Sequence, residues 1–436
     1  MRDFARSDDP AVQTQLDRLG ALSVPQGRLG LETIRALLAR LGNPEERLPP
    51  VFHVAGTNGK GSTCAFLRAM LEAEGKRVHV TTSPHLVRYN ERIRIAGKLI
   101  SDARLAEVLA EVLDAGEDLS PSFFEVTVAA AFLEFARVPA DACVVEVGLG
   151  GRFDATNALG SSVLAACGIA ALGIDHEQFL LSPEEGTPTE PLTRIAFEKA
   201  GIAKPGVPLV TQACSEPLAR EIATRARTVG APLAMESREW DCTLVPEMML
   251  YSDETRRGGV DGLHLPMPGL PGAHQAANAG LAIAMLRHQE KVSVSDGAIG
   301  LGLQLASWPA RLQRLRPGPL VGEREVWLDG GHNASAGAML AEHFAGRPLH
   351  LVIGMLTAKD PTSLVEPLAG AARSITAVPV PGHEWHPAAA FGARVRQIED
   401  VPAALAGLPD DGLPVLIAGS LYLAGEVLRL NREMPE

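Results

Sequence analysis

Aromatic residues make up only 4% of this 436-residue chain, and its 40 lysines and arginines are outnumbered by 52 aspartates and glutamates, a formal net charge of −12. An acidic balance of this size argues against general nucleic-acid or anionic-membrane binding. It leaves anionic ligands open, because Lys60, Arg88, Arg92, Arg94 and Arg152 can supply positive charge locally. The five cysteines (Cys64, Cys143, Cys167, Cys214 and Cys242) include no C-x-x-C pair, and three of them lie in apolar runs. Buried, reduced thiols in a cytoplasmic protein are the expectation. No apolar run approaches the roughly 18 residues of a membrane span. The opening MRDFARSDDP carries charge where a signal peptide would be apolar. N-K-x-D, H-E-x-x-H, G-x-S-x-G and EF-hand patterns are all missing, which weighs against a GTPase, a zinc protease, an α/β-hydrolase and a calcium sensor. GLGGRF at 148–153 has two glycines of a dinucleotide fingerprint but Phe153 in place of the third, and it runs into the turn sequence DATN.

What is present is material for two or three domains with real cores, at 46% hydrophobic residues. The most informative stretch is VFHVAGTNGKGSTCAFLRAML, 51–71. A buried apolar strand opens after a double proline, and from Ser62 the apolar residues Phe66, Leu67, Met70 and Leu71 recur at helical steps. Between them, Gly56, Gly59 and Gly61 form a loop that aims backbone N–H groups and a helix N-terminus at one spot, as a phosphate requires. Lys60 adds a point charge, and Ser62 and Thr63 add hydroxyls. The common phosphate loop is G-x-x-x-x-G-K-[ST]. Here only Thr57 and Asn58 separate Gly56 from Gly59, and Gly61 follows the lysine.

Further strands are expected in RVHVTT, at 141–148, within 161–174 and at 207–213, with helices within 102–137 and at 193–203. This alternation predicts a doubly wound parallel sheet of the P-loop type, covered by helices on both faces. Short strands broken by Gly and Pro follow over 233–272 as a small β subregion, then a helix at 273–287. A second α/β alternation, REVWLDG to PVLIAGS, predicts a smaller Rossmann-like domain, so the expected division is 1–306 and 307–436. Ligands of open α/β sheets sit beyond the carboxyl ends of strands. Three such ends deliver Ser83, Glu146 and Asp175-His176. Glu146 resembles a Walker B acid, and Ser83 and Glu146 offer the hard oxygens that Mg²⁺ prefers, whereas His176 is softer.

VAGTNGKGST, TSPHLVRYNERIRI, SFFEVTVAAAF, EVGLGGRFDATN, GIDH, IAFEKAGI, GAHQAANA, LDGGHN, GMLTAKD and GSLYLAGEVL occur in this order from about residue 29 to 428. Together they resemble the folylpolyglutamate synthase/dihydrofolate synthase family, the folate branch of the Mur ligase superfamily. The resemblance implies an ATP-dependent ligase that joins L-glutamate to dihydropteroate and to folates through an acyl phosphate, with Mg²⁺ as cofactor, in a monomeric cytoplasmic protein. By position it implies that Gly56, Thr57, Asn58, Gly59, Lys60, Gly61, Ser62 and Thr63 cradle the triphosphate. Asn278, Arg311 and Asp329 match further ATP contacts, several from the second domain. Ser83, Glu146 and His176 would hold Mg²⁺. Lys199 matches a lysine often carbamylated in the superfamily, although its place in the sequence alone reads as an exposed helix-end lysine favoured by the dipole. His332 is the candidate base for the glutamate ammonium. The acceptor pocket is implied at Leu29, Gly30, Leu31 and Glu32, at Ser122, Phe123, Phe124 and Glu125, and at Phe153, Asp154 and Ala155, with Phe124 stacking on the pterin.

Two stretches depart from the family pattern. LLSPEEGTPTEPLTR between His176 and Lys199 is longer than usual and acidic, with Gln178 where an acid is common; WPARLQ stands for the more usual PGR but keeps its arginine. The rival readings are another Mur-type ligase acting on a cell-wall or amino-acid polymer precursor, and a non-catalytic ATP-dependent switch.

Overall fold

A computed structural model describes residues 6–22, 30–174, 177–254 and 260–436. The chain divides into two units, Met1–Gly269 with Gln275–Ser307, and Leu270–His274 with Trp308–Glu436.

The first unit is built on an eight-stranded sheet. Its strands are β1 (Val51–Ala55), β2 (Val78–Thr81), β3 (Ile93–Ile95), β4 (Lys98–Leu99), β5 (Ala142–Glu146), β6 (Leu164–Ile169), β7 (Leu209–Thr211) and β8 (Leu233–Met235), in the order β4-β3-β2-β5-β1-β6-β7-β8. From β2 to β8 neighbours run parallel, whereas β3 and β4 add an antiparallel edge. That edge was not anticipated: in RIRIAGKL, β3 pairs with β2, and the chain turns through Ala96 and Gly97, both at positive φ, to lay β4 back on β3. β1 and β5 are buried along their whole length, as strands covered on both faces must be. Each fully buried Val there contributes about 1.5–3 kcal/mol.

β1 lies between β5 and β6. It feeds β2 on one side, while β5 feeds β6 on the other, so their carboxyl ends border one crevice. The register sets Val54 beside Glu146 and Ala55 beside Ile169, so Gly56 and Ala170 lie side by side two residues beyond the level of Glu146. The expected strand within 161–174 stops at Ile169, and residues 170–174 continue as a loop. Residues 102–137 form two helices, Asp102–Gly116 and Phe123–Arg137, each capped by a serine. The expected β subregion is two things. Its first strand, β8, belongs to the main sheet, and β9 (Trp240–Val245), β10 (Met248–Glu254) and β11 (Val260–Pro266) form a separate antiparallel sheet. Helices Glu216–Val229 and Asp296–Leu305 complete the unit, the latter packing on Lys60–Ala73.

The second unit is a six-stranded sheet of β12 (Gln313–Arg314), β13 (Val326–Asp329), β14 (Leu349–Ile353), β15 (Ala372–Ala377), β16 (Arg396–Gln397) and β17 (Val415–Ala418). Its order is β12-β13-β17-β14-β15-β16, parallel except for β12. Leu351, Ile353, Leu416 and Phe344 are fully buried in its core.

Candidate active site

The glycine loop follows β1, and the loop after β6 holds it in place. Thr57 and Asn58 donate their backbone N–H to the Ala171 carbonyl at 2.8 and 3.2 Å, and Thr57 Oγ1 donates to the Gly173 carbonyl at 2.8 Å. These two N–H groups therefore brace the loop rather than line its mouth. Gly59 has φ +83° and ends the loop, and the helix Lys60–Ala73 begins without any side-chain cap. An uncapped N-terminus leaves orphan N–H donors that an anion satisfies. Lys60 lies at this mouth, half-buried, with Nζ 3.3 Å from the Thr57 carbonyl. Ser62 and Thr63 are buried, and Thr63 Oγ1 turns toward the Asn278 carbonyl at 3.5 Å.

Lys199 corrects the reading taken from its helix alone. It sits in the last turn of Pro191–Ala200, but it is buried at 4% exposure, and its Nζ donates to the Gly56 carbonyl at 2.9 Å. The helix packs inward on the sheet, so position near a helix end did not mean exposure. Glu146, 5% exposed, ends β5 and accepts the Ser83 backbone N–H at 3.0 Å. His176 lies outside the described residues, as does Leu29. Among the described residues no group of three His, Cys, Asp or Glu side chains is placed to hold a metal ion.

In the SFFE stretch, Ser122 and Glu125 form a reciprocal capping box. The Glu125 carboxylate accepts the Ser122 N–H at 2.7 Å, and Ser122 Oγ accepts the Glu125 N–H at 3.3 Å. Phe123 meets Tyr89 edge-on at 5.6 Å, and the Arg92 guanidinium lies 5.2 Å from the Tyr89 ring and 5.4 Å from the Phe123 ring. Phe124 points elsewhere: a Cβ on Gly148 would come within 2.4 Å of its ring tip, so that glycine makes room for the phenyl group. Asp154 is buried and caps the turn Ala155–Ala158. Its carboxylate accepts the Leu149 N–H at 2.7 Å and the Thr156 N–H at 3.0 Å, together with the Thr156 hydroxyl. Burial pushes this carboxyl above its ordinary value, while the Thr156 hydroxyl and the backbone donors pull it back. The half-buried Phe153 ring packs under the Arg152 guanidinium at 4.2 Å, and Ala155 is buried. Leu31 joins the core, and the Glu32 carboxylate folds back against Gly30.

In the second unit, Asp329 ends β13, 1% exposed, and accepts the N–H of Leu312 at 2.8 Å and of Gly331 at 2.7 Å. Burial raises its pKa, and the nearby Arg311 charge opposes the rise. Arg311 stands between Ala310 and Leu312, both at positive φ, a strained backbone that the Asp329 bonds hold. His332 Nδ1 lies 3.0 Å from the Gly330 carbonyl, which makes Nδ1 the donor and Nε2 the basic nitrogen.

No protein-family model matches this sequence. It is, however, 35% identical over 365 residues to the dihydrofolate synthase/folylpolyglutamate synthase of Bacillus subtilis (strain 168), covering 79% of this chain and 80% of that protein. The chain belongs to the dihydrofolate synthase/folylpolyglutamate synthase family. Among solved structures it matches E. coli FolC in complex with DHPP and ADP, at TM-score 0.85 and 30% identity over 98% of both chains. It also matches a bifunctional folylpolyglutamate synthase/dihydrofolate synthase with Mn, AMPPNP and L-glutamate bound, at TM-score 0.82 and 31% identity over 96% and 97%.

Sequence reasoning missed several residues that shape these loops and helix ends. Glu91 gathers the N–H groups of Leu86, Val87 and Arg88 at 2.7, 3.0 and 2.7 Å and so shapes the SPHLVRYNE loop. It lies inside the TSPHLVRYNERIRI motif, but its part in gathering these N–H groups is not legible there. The capping box at Ser122 and Glu125 was legible as S-x-x-E ahead of an apolar run. Gln212, which bonds to Asn278, lies in a stretch with no chemical signature, and Gln275 lies inside the GAHQAANA motif without its bond to Asn278 being marked there.

Proposed function

We propose that this protein is an ATP-dependent ligase that adds L-glutamate to dihydropteroate and to folate polyglutamates. The observation that carries the reading is the uncapped helix mouth at Lys60 with the buried Lys199 amine on the same loop. Residues 1–306 would carry ATP and the folate pocket, and 307–436 would form the smaller ligase domain. The triphosphate takes the place of the missing helix cap, with Lys60 beside it, and Asn278 belongs to the nucleotide's surroundings. The acceptor pocket is read around Phe124 and the 148–155 loop, and the work is done in the cytoplasm.

Mg²⁺ fits the oxygen donors present. Glu146 gives a buried carboxylate and Ser83 a hydroxyl residue at adjacent strand ends, and Mg²⁺ is commonly held by one or two carboxylates plus phosphate and water. When bound, it neutralises charge on the transferred phosphoryl group. The acceptor carboxylate attacks the γ-phosphorus, ADP leaves, and an acyl phosphate forms. The amine of glutamate then displaces phosphate to give the amide. Lys60 and the helix N-terminus stabilise the charge on the phosphoryl oxygens. His332, basic at Nε2, takes the proton from the glutamate ammonium. Lys199 Nζ gives up one proton to become a neutral amine, adds CO₂ and releases a second proton to become a carbamate, which turns a buried cation into an anion while its remaining N–H still donates to Gly56.

The test is ADP release by the purified protein with dihydropteroate or tetrahydrofolate as acceptor. Release that requires both acceptor and glutamate is expected. Hydrolysis indifferent to glutamate would leave a switch, and turnover only on a cell-wall precursor would leave another Mur-type ligase.

A further inference from the structure

Three buried amides meet behind the glycine loop. Gln212 follows β7, and Gln275 and Asn278 lie one turn apart on the helix His274–Arg287; their exposures are 6, 1 and 4%. Gln212 Nε2 donates to Asn278 Oδ1 at 3.0 Å, and Asn278 Nδ2 donates to Gln275 Oε1 at 3.0 Å. A flipped Asn278 amide would set donor against donor at one contact and acceptor against acceptor at the other, so the two glutamines impose one orientation. The oxygen they fix occupies the space a side chain at residue 59 would need: a Cβ on Gly59 would stand 2.3 Å from it. Gly59 is the residue from which the helix at Lys60 springs. A chain of contacts thus runs from the carboxyl end of β7, through Asn278, to the mouth of the nucleotide loop. On its far side Gln212 borders a cavity of about 230 Å³ with Cys214, Met235, Glu236 and Arg238, which leaves room for a substituted side chain.

We propose that Gln212 is a positioning residue for the nucleotide, acting through Asn278 by holding its amide oxygen against Gly59. The proposal rests on the reading of the loop as the ATP site. Gln212→Met keeps the side chain's length and removes both polar groups; Gln212→Leu serves if that variant does not fold. ADP binding to the protein without acceptor, measured by calorimetry, should weaken by roughly fivefold, the order of one net hydrogen bond. The KM for ATP should rise by the same factor, with those for acceptor and glutamate unchanged, a split that general loosening of the fold would not give. In an Asn278→Ala background the Gln212 substitution should add nothing, because its route to the loop is already cut. Undiminished ADP affinity, an equal rise in all three KM values, or a full additional loss in the Asn278→Ala background would overturn the proposal. An unsubstituted protein that binds no ADP would sink the loop reading as well, an outcome distinct from the other three.

Discussion

His53 lies in the middle of β1, fully buried, with Nε2 2.8 Å from Thr156 Oγ1 and Nδ1 without a hydrogen-bond partner among the described residues. Burial, and then the Lys204 charge, push its pKa down to about 3. In the unfolded chain the ring charges near pH 6.5. The unfolded state therefore binds a proton that the folded state refuses, so stability is complete above about pH 6.5 and falls as pH drops toward 3. The contribution lost is on the order of 4 kcal/mol. Urea unfolding between pH 7 and 4 should show this decline, and His53→Gln should flatten it; parallel curves would place the acid sensitivity elsewhere. A second residue-scale expectation concerns Phe124, whose ring abuts Gly148 rather than joining the Tyr89–Arg92–Phe123 cluster. If that ring stacks on the pterin, Phe124→Ala raises the KM for dihydropteroate by about tenfold, for a stacking contact of 1–2 kcal/mol, and leaves that of ATP unchanged. Steady-state kinetics with each substrate varied in turn would reveal equal losses, which would place the pterin elsewhere.

At the scale of elements, the long acidic connection ahead of Pro191–Ala200 is fastened by charge. Glu184 pairs with Arg152 and with Arg194, and Glu198 pairs with the same two arginines at 2.8 and 2.9 Å. Leu180 fills the space beside Gly150, and its carbonyl accepts from Arg194 Nε at 3.2 Å. The segment is thus an ordered strap against the GLGGR loop, a role that its length and acidic composition alone did not indicate. Glu184→Gln leaves two largely buried guanidinium groups with one carboxylate between them. It should cost about 1–3 kcal/mol and raise amide hydrogen exchange over 179–190 first. Exchange unchanged in that stretch would mean that the strap is held by its apolar contacts instead.

For the molecule as a whole, the two units each present a mainly parallel sheet, and the first carries the phosphate loop. Lys60 supplies charge and little packing, because it is half-buried with Nζ at a carbonyl. Lys60→Ala should melt near the temperature of the unsubstituted protein yet lose on the order of 10²–10³ in kcat, as removal of a group that stabilises developing charge does. EDTA should stop ADP release and added Mg²⁺ restore it. A Lys60→Ala protein with near-normal turnover, or activity indifferent to EDTA, would remove the phosphate-loop reading.

Local pattern was sufficient for the strand–loop–helix at 51–71, because burial of β1, the positive φ at Gly59 and the helical period after Ser62 are all properties of neighbours in sequence. The order of motifs was sufficient for the family, which the similarity to the Bacillus subtilis protein establishes. The sequence could not show that Lys199 is interior, since that depends on which side of Pro191–Ala200 meets the sheet. Nor could it show that the Asp154 carboxylate is engaged by Leu149 and Thr156, or that Phe123 and Phe124 face in different directions. The links from Gln212 to Gly59 join residues 66 and more than 200 positions apart in part of their course. Periodicity and turn chemistry reach only a few residues along the chain, whereas a buried polar group is assigned its partner by whatever the completed sheet sets beside it.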